Sequence, residues 1–299
     1  MCRNPFISAG SAYGCGQCMP CRYNRRRIWQ HRIMIEAGQY EDNAFVNLTY
    51  DDENMPRLPD GRGNLEPSHL QAFLKRLRYH CSPVKIRFYG VGEYGDKSDR
   101  PHYHIAVFGM RSCAYGQSQY SSFRSRCCVQ CELVRDTWGK GNVYLGTLEA
   151  DSAGYVCGYV TKKMTMRDDP RLNGRNPEFA RMSLRPGIGA SGMWDVASVL
   201  LAYDLVDSRP DVPGALTRSR KDLPLGRYLT KLLRRYVGRD EKAPQAVLDE
   251  VASELLPLRF AARSSESDPS FKSHLVRSSE GRYRNFEARR KLRKKGGSL

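Results

Sequence analysis

No apolar run approaches the roughly 18 residues needed to cross a bilayer, so no membrane-spanning helix is expected. The first ten residues lack the basic-then-apolar plan of a secretory signal, which points to the cytoplasm. Internal repeats are absent, and so is any GxxxxGK[ST] phosphate loop, so the chain carries no nucleotide-driven motor of that type. Acidic residues are scarce: 32 Asp and Glu face 49 Lys and Arg over 299 residues, a net charge of +17. Such an imbalance calls for an anionic partner, and nucleic acid is the commonest, although membrane surfaces and acidic proteins satisfy the same charge. At 40% apolar and 27% charged, the composition is that of a folded protein rather than a disordered one.

Ten cysteines are present, and with no export signal a reducing compartment with free thiols or metal ligands is expected. Cys15, Cys18 and Cys21 form a C-x-x-C-x-x-C run, and Cys113 precedes Cys127, Cys128 and Cys131. A four-thiolate zinc site usually takes two C-x-x-C knuckles, and the two clusters could supply one each. The preferred reading is reduced cysteines packed as small hydrophobes, with zinc as the alternative.

Residues 22–40 open with Arg22, Arg25, Arg26, Arg27 and Arg32, while Trp29, Ile33 and Ala37 recur every four positions. That pattern predicts a helix with one apolar stripe and one basic face. Phe45 to Tyr50 is β-rich and predicts a strand. Pro67 opens a helix that places Leu70, Phe73, Leu74 and Leu77 on one face. Val84 to Tyr94, which carries Arg87, and Pro101 to Gly109 predict a hairpin across the turn at 95–99. Met110 to about Lys140 has no period and reads as a Cys-rich insertion. Val143 to Leu148 predicts a strand, and Asp151 or Ser152 caps a helix through Tyr155, Tyr159 and Met164. The order β-α-β-β-β-α predicts an α+β domain, a central antiparallel sheet with flanking helices.

After Asp168, Pro, Gly, Asn and Arg dominate up to Gly192, as in a linker. Leu225, Tyr228, Leu229, Leu232, Leu233 and Tyr236 mark the clearest helix, and Val247, Val251 and Leu255 another. From Gly281 onward eight Lys or Arg face one Glu, the composition of a disordered basic tail. The expected organisation is a Cys/Arg-rich segment and basic helix over 1–40 and a core over 41–168 with an insertion at 110–140. A linker and helical C-terminal region over 169–260 and a disordered tail over 261–299 complete it.

His102-Tyr103-His104 falls on the returning strand of the hairpin. Side chains two apart on a strand share a face, about 7 Å apart at Cα, so both imidazoles can converge on one cation. Glu93 on the partner strand adds a carboxylate, giving a metal site with positions open to substrate oxygen. Six histidines produce an H-x-H pair by chance about one time in ten, so the hairpin and Glu93 carry this reading against that of an exposed strand pair. Tyr155 and Tyr159, four apart, share one helical face, with Lys162 and Lys163 about a turn further on. Seventeen tyrosines yield about one such spacing by chance. Gly154 and Gly158 say more, because two glycines in a short helix admit a close neighbour at a cost in stability.

Read in order, GEYGDKSDRPHYHIAVFG and GYVCGYVTKK resemble the HUH endonucleases, which start rolling-circle replication and plasmid transfer. In detail they look like the replication initiators of gokushovirus-like microviruses. FVNLTY is similar to that family's first motif, and the early C-x-x-C-x-x-C-R is also found there; the resemblance covers roughly residues 15–165. It implies an HUH fold of ferredoxin or RRM-like type and Mg²⁺ or Mn²⁺ held by Glu93, His102 and His104. It implies Tyr155 and Tyr159 as nucleophiles that form a 5′-phosphotyrosine, assisted by Lys162 or Lys163. Single-stranded and origin duplex DNA would be the substrates, with helicase and polymerase supplied by the host, in the cytoplasm of a bacterium. One departure is that Lys162 follows Tyr159 by three residues whereas Gly158 follows Tyr155. Arg22, Arg25, Arg26, Arg27 and Arg87 would hold DNA phosphates. The competing readings are a transposase or relaxase of the same chemistry, a non-catalytic DNA-binding or packaging protein, and a zinc hydrolase.

Overall fold

The computed structural model describes residues 2–8, 11–95, 98–118, 127–158, 169–218, 220–265, 267 and 270–295. The elements run β1 (Phe6–Ser8), β2 (Ser11–Tyr13), α1 (Met19–Ala37), β3 (Asn43–Thr49), α2 (Pro67–His80), β4 (Arg87–Tyr94) and β5 (Pro101–Phe108). There follow α3 (Val129–Trp138), β6 (Val143–Thr147), α4 (Ala150–Val156), β7 (Phe179–Met182), α5 (Gly192–Ala202), β8 (Ala215–Arg218) and β9 (Lys221–Pro224). The last described elements are α6 (Gly226–Tyr236), α7 (Gln245–Arg263), α8 (Phe271–Ser278) and α9 (Glu280–Lys295). Two compact units result, one of residues 29–192 and one of residues 1–28 with 193–299, and α1 contributes to both.

In the 29–192 unit the α+β expectation holds. Five antiparallel strands lie in the order β6-β3-β5-β4-β7, with β5 in the middle. Because strand side chains alternate, one face collects Ala44, Val46 and Leu48 of β3 with Tyr103, Ile105 and Val107 of β5. Leu70, Phe73, Leu74 and Leu77 of α2 and Val134 and Trp138 of α3 cover that face. The opposite face carries Tyr89, Val91, Ala106 and Phe108 against Ile33 and Ala37 of α1 and Ala153 and Val156 of α4. Each helix therefore buries one stripe on one side of the sheet, which stabilises both partners by removing apolar surface from water.

Three expectations change. The stretch read as a periodless insertion contains α3, whose Trp138 is 1% exposed and donates its indole N–H to the Thr49 carbonyl at 3.1 Å. The link from α3 to β6 passes over the end of β3 at Gly141, where a Cβ would lie 2.3 Å from the Asp51 nitrogen, so only glycine fits. Second, residues 169–192 are not a linker: β7 pairs with β4, Gly92 opposite Phe179, and the sheet-bearing unit runs to Gly192. A side chain at Gly92 would meet the Phe179 ring at 2.8 Å.

The third change concerns the tail, which beyond residue 261 is helical over most of what is described. On α9, Tyr283 and Phe286 lie three apart and give a basic helix one aromatic side. Phe286 meets Tyr23 edge-on at 5.4 Å, while Arg3 lies 4.3 Å over Tyr283 and pairs with Glu280. Elsewhere in this unit α6 buries Leu229, Leu232 and Leu233, and Trp194 stacks on Tyr236 at 3.9 Å. Among the described residues no helix is long and apolar enough to cross a membrane.

Candidate metal centre

The turn between β4 and β5 sets the register, with Glu93 opposite His102 and Val91 opposite His104. By alternation Glu93, His102 and His104 all project on the face covered by α1 and α4. One carboxylate oxygen, Oε1 of Glu93, lies 3.1 Å from Nε2 of His102 and 3.1 Å from Nε2 of His104. The two imidazole centroids are 4.6 Å apart with their planes at 73°. The His104 side chain is only 2% exposed and that of Glu93 9%, while His102 at 14% forms the solvent edge.

The ring of His102 is oriented from behind. Its Nδ1–H donates to the Arg100 carbonyl at 3.0 Å, which leaves the Nε2 lone pair facing Glu93. A lone pair and a carboxylate oxygen at 3.1 Å repel each other unless positive charge, a proton or a cation, lies between them. A divalent ion with bonds of about 2.1 Å in octahedral geometry has neighbouring ligands about 3 Å apart, the separation found here. Two imidazoles and one carboxylate with open positions therefore fit such an ion in both donor type and spacing.

Tyr155 approaches the same cluster from α4. Its ring meets His104 edge-on, with centroids 4.7 Å apart and planes at 83°, and it is 47% exposed. Phe45 of β3 stacks parallel to His104 at 6.1 Å and meets Tyr155 edge-on at 6.2 Å. The cap of α4 is Glu149 rather than Asp151 or Ser152; the backbone N–H of Glu149 donates to the Ser152 hydroxyl at 2.8 Å. Gln30 of α1 donates to the Ala150 carbonyl at 2.7 Å, and a Cβ on Gly154 would lie 3.0 Å from that amide nitrogen. That is the close neighbour the glycine admits. Among the described residues, nothing lies within 4 Å of a Cβ built on Gly158. Tyr159, Lys162 and Lys163 lie outside the described residues.

The reverse face of β5 is held just as firmly. The Tyr103 hydroxyl donates to the Glu66 carbonyl at 2.9 Å, accepts from the Glu66 N–H at 3.1 Å, and is 2.7 Å from the Tyr50 hydroxyl. Tyr50 in turn reaches His69 Nδ1 at 2.9 Å. Burial pushes the Tyr103 phenol up to about 12 and raises that of Tyr50 further, so both remain neutral hydrogen-bonding groups.

Two readings of charged and thiol groups are corrected. Arg87 is not a phosphate contact: its side chain is 10% exposed, with Nε 2.6 Å from Glu36 Oε1 and an Nη donating to the Pro186 carbonyl at 2.8 Å. It is a buried ion pair that fastens β4 to α1. Arg22, Arg25, Arg26 and Arg27 lie on the first half of α1 in the other unit, with Arg25 and Arg27 exposed and Arg22 and Arg26 half-buried. The cysteines form two four-thiol groups instead of one mixed site. Cys15, Cys18 and Cys21 join Cys2, and Cys127, Cys128 and Cys131 join Cys113.

Cys2 was not legible as the fourth member because it lies outside the C-x-x-C run. Phe45 and Asn47 were also missed. Asn47 is paired with His104 across β3 and β5, and its buried Oδ1 has no hydrogen-bond partner among the described residues. The signal was available, since alternation in FVNLTY puts Phe45, Asn47 and Thr49 on the histidine face.

Residues 43–164 match the family model of the replication-associated protein ORF2 type. The chain is 32% identical over 168 residues to the replication-associated protein VP4 of Bdellovibrio phage phiMH2K, covering 54% of this chain and 51% of that one. It is 33% identical over 213 residues to the replication-associated protein ORF2 of Spiroplasma virus 4, covering 67% and 64%. Against the replication-associated protein ORF4 of Chlamydia phage 1 it is 31% identical over 162 residues, covering 52% and 39%. The chain thus spans less than two thirds of each of these relatives. No solved structure matches it. The span from β3 to α4, with Glu93, His102, His104 and Tyr155, falls inside the matched region, and the chain belongs to the family of phage replication-associated proteins.

Proposed function

We propose that the protein starts rolling-circle replication by cutting one strand of a double-stranded origin and keeping the 5′ end as a phosphotyrosine. The observation that carries this reading is the phenol of an exposed Tyr155 packed against His104, one of three convergent ligands. Mg²⁺ or Mn²⁺ bound by Glu93, His102 and His104 would supply Lewis acidity toward the scissile phosphate. Tyr155 or Tyr159 attacks phosphorus, the Tyr–O–P bond forms, and the P–O bond to the 3′ oxygen breaks. The phenolic proton is lost and the leaving oxygen gains one, becoming the hydroxyl that a polymerase extends.

An ordinary phenol titrates near 10, so only about one in a thousand is ionised at pH 7. Lys162 or Lys163 favours the phenolate or steadies the departing oxygen. The phosphotyrosine keeps the ester's energy, so rejoining needs no ATP. A second phenol allows a second cut at the regenerated origin, after which the freed 3′-hydroxyl attacks the first linkage and closes a circle. The basic faces of α1 and α9 would hold the DNA backbone without reading bases. Helicase and polymerase would come from the bacterial host, whose cytoplasm is the setting this chemistry requires.

The test uses an origin-bearing single strand with Mn²⁺, a denaturing gel and mass spectrometry of the conjugate. The wild-type chain should carry the nucleotide on Tyr155 or Tyr159. The Tyr155→Phe/Tyr159→Phe variant should bind DNA and form no conjugate. A conjugate on another residue, or one that persists in the double variant, refutes the assignment.

A further inference from the structure

We infer that the chain holds two structural zinc ions, one on Cys2, Cys15, Cys18 and Cys21 and one on Cys113, Cys127, Cys128 and Cys131. Within each group all four sulfurs lie within 4.8 Å of one another. Zinc–thiolate bonds of about 2.3 Å in a tetrahedron place the sulfurs about 3.8 Å apart. The separations found are 3.8 Å for Cys2 and Cys18, 3.6 Å for Cys113 and Cys127, and 3.8 Å for Cys113 and Cys128. A disulfide needs about 2.05 Å, and all ten cysteines are free.

The same local device is used twice. Cys18 immediately precedes α1 and Cys21 is its third residue; Cys128 caps α3 and Cys131 is its third residue. In each case the fourth helical N–H closes back on the capping cysteine carbonyl, Arg22 to Cys18 and Glu132 to Cys128, both at 3.0 Å. A helix N-terminus carries partial positive charge and favours thiolate over thiol. In the first group three backbone N–H groups also point at sulfur. Cys15 and Asn4 donate to Cys2 at 3.2 and 3.4 Å, and Cys18 donates to Cys15 at 3.3 Å. A donor set made only of thiolates selects zinc over the hard ions suited to the histidine cluster.

The segments involved need a cross-link. The β1–β2 hairpin leaves Phe6 63% and Tyr13 54% exposed, and a lone two-stranded hairpin is at best marginally stable. The first ion would fasten this hairpin to the end of α1 that carries Arg22, Arg25 and Arg26. The second would close the loop from Cys113 to Cys127 onto α3.

Full-length protein purified without chelator should contain two zinc ions per chain by elemental mass spectrometry. Cys21→Ser and Cys131→Ser should each hold one, the combined variant none, and His102→Ala still two. Where a cysteine variant fails to fold, alkylation of the wild-type chain decides. The eight ligand thiols should resist modification until a strong chelator is added. Zinc retained in both cysteine variants, iron in place of zinc, disulfide-bonded pairs, or alkylation indifferent to chelator would each overturn the inference.

Discussion

Replacing Arg87 by methionine removes a buried guanidinium while keeping most of the side-chain volume. In the wild-type chain Arg87 Nε lies 2.6 Å from Glu36 Oε1, and Glu36, 1% exposed, also accepts the Gly189 N–H at 2.6 Å. Without the guanidinium, Glu36 keeps one donor and loses its countercharge, and the Pro186 carbonyl loses its 2.8 Å donor. Removing one partner of a buried pair costs about 3–5 kcal/mol, whereas neutralising both partners can be close to neutral. At about 2–4 °C per kcal/mol for a unit of this size, the midpoint should fall by about 6–20 °C. Adding Glu36→Gln, which keeps an acceptor for Gly189, should recover much of that loss. The assay is thermal unfolding of both single variants and the double, with DNA affinity measured against salt in parallel. A phosphate-contacting arginine would behave in the opposite way, leaving the midpoint in place and flattening the salt slope by about one. That result would refute the structural role.

His102→Ala or His104→Ala should abolish metal-dependent nicking of an origin strand while salt-sensitive DNA binding stays near the wild-type level; metal-dependent nicking by either variant would dismiss the cluster as a catalytic metal site. Ending the chain after Ser279 removes Phe286 from Tyr23 and Glu280 from Arg3, so it should lower the thermal midpoint as well as weaken and flatten DNA binding; unchanged affinity would remove α9 from the DNA interface. Tyr103 titrates near 12 when folded and near 10 when unfolded, so its contribution is complete below pH 10 and is lost as pH rises toward 12, about 2–3 kcal/mol in all. Tyr103→Phe should therefore flatten the stability profile over that window in urea titrations, and a slope equal to the wild type would reject it.

The parts of the site that were legible are those set by local geometry. A short turn and strict alternation bring Glu93 to His102 and His104 without knowledge of the rest of the fold. Non-local facts were hidden. β7 is a four-residue edge whose strand identity comes from pairing with β4, and in isolation its composition resembles a linker. Arg87 read as a surface cation because its partner Glu36 is 51 residues away. The C-x-x-C spacing marked metal knuckles, but whether two knuckles share one ion depends on tertiary placement, and Cys2 supplied the missing thiol from 13 residues before Cys15. For α9, charge density suggested disorder, and the three-residue spacing of Tyr283 and Phe286 was the local signal of a packing side.

The residue between the two histidines explains how their placement is secured. Tyr103 is fully buried on the opposite face of β5, tied to both backbone groups of Glu66 and to the Tyr50 hydroxyl. A one-residue slip of β5 would exchange its faces, drive both imidazoles among the α2 and α3 side chains, and strip Tyr103 of those hydrogen bonds. The pattern of a ligand, a core residue and a ligand thus fixes register from the side that does no chemistry. Glu93, directly across the ladder from His102, inherits that register, so the 3.1 Å convergence on its Oε1 follows from packing on the far face of the sheet.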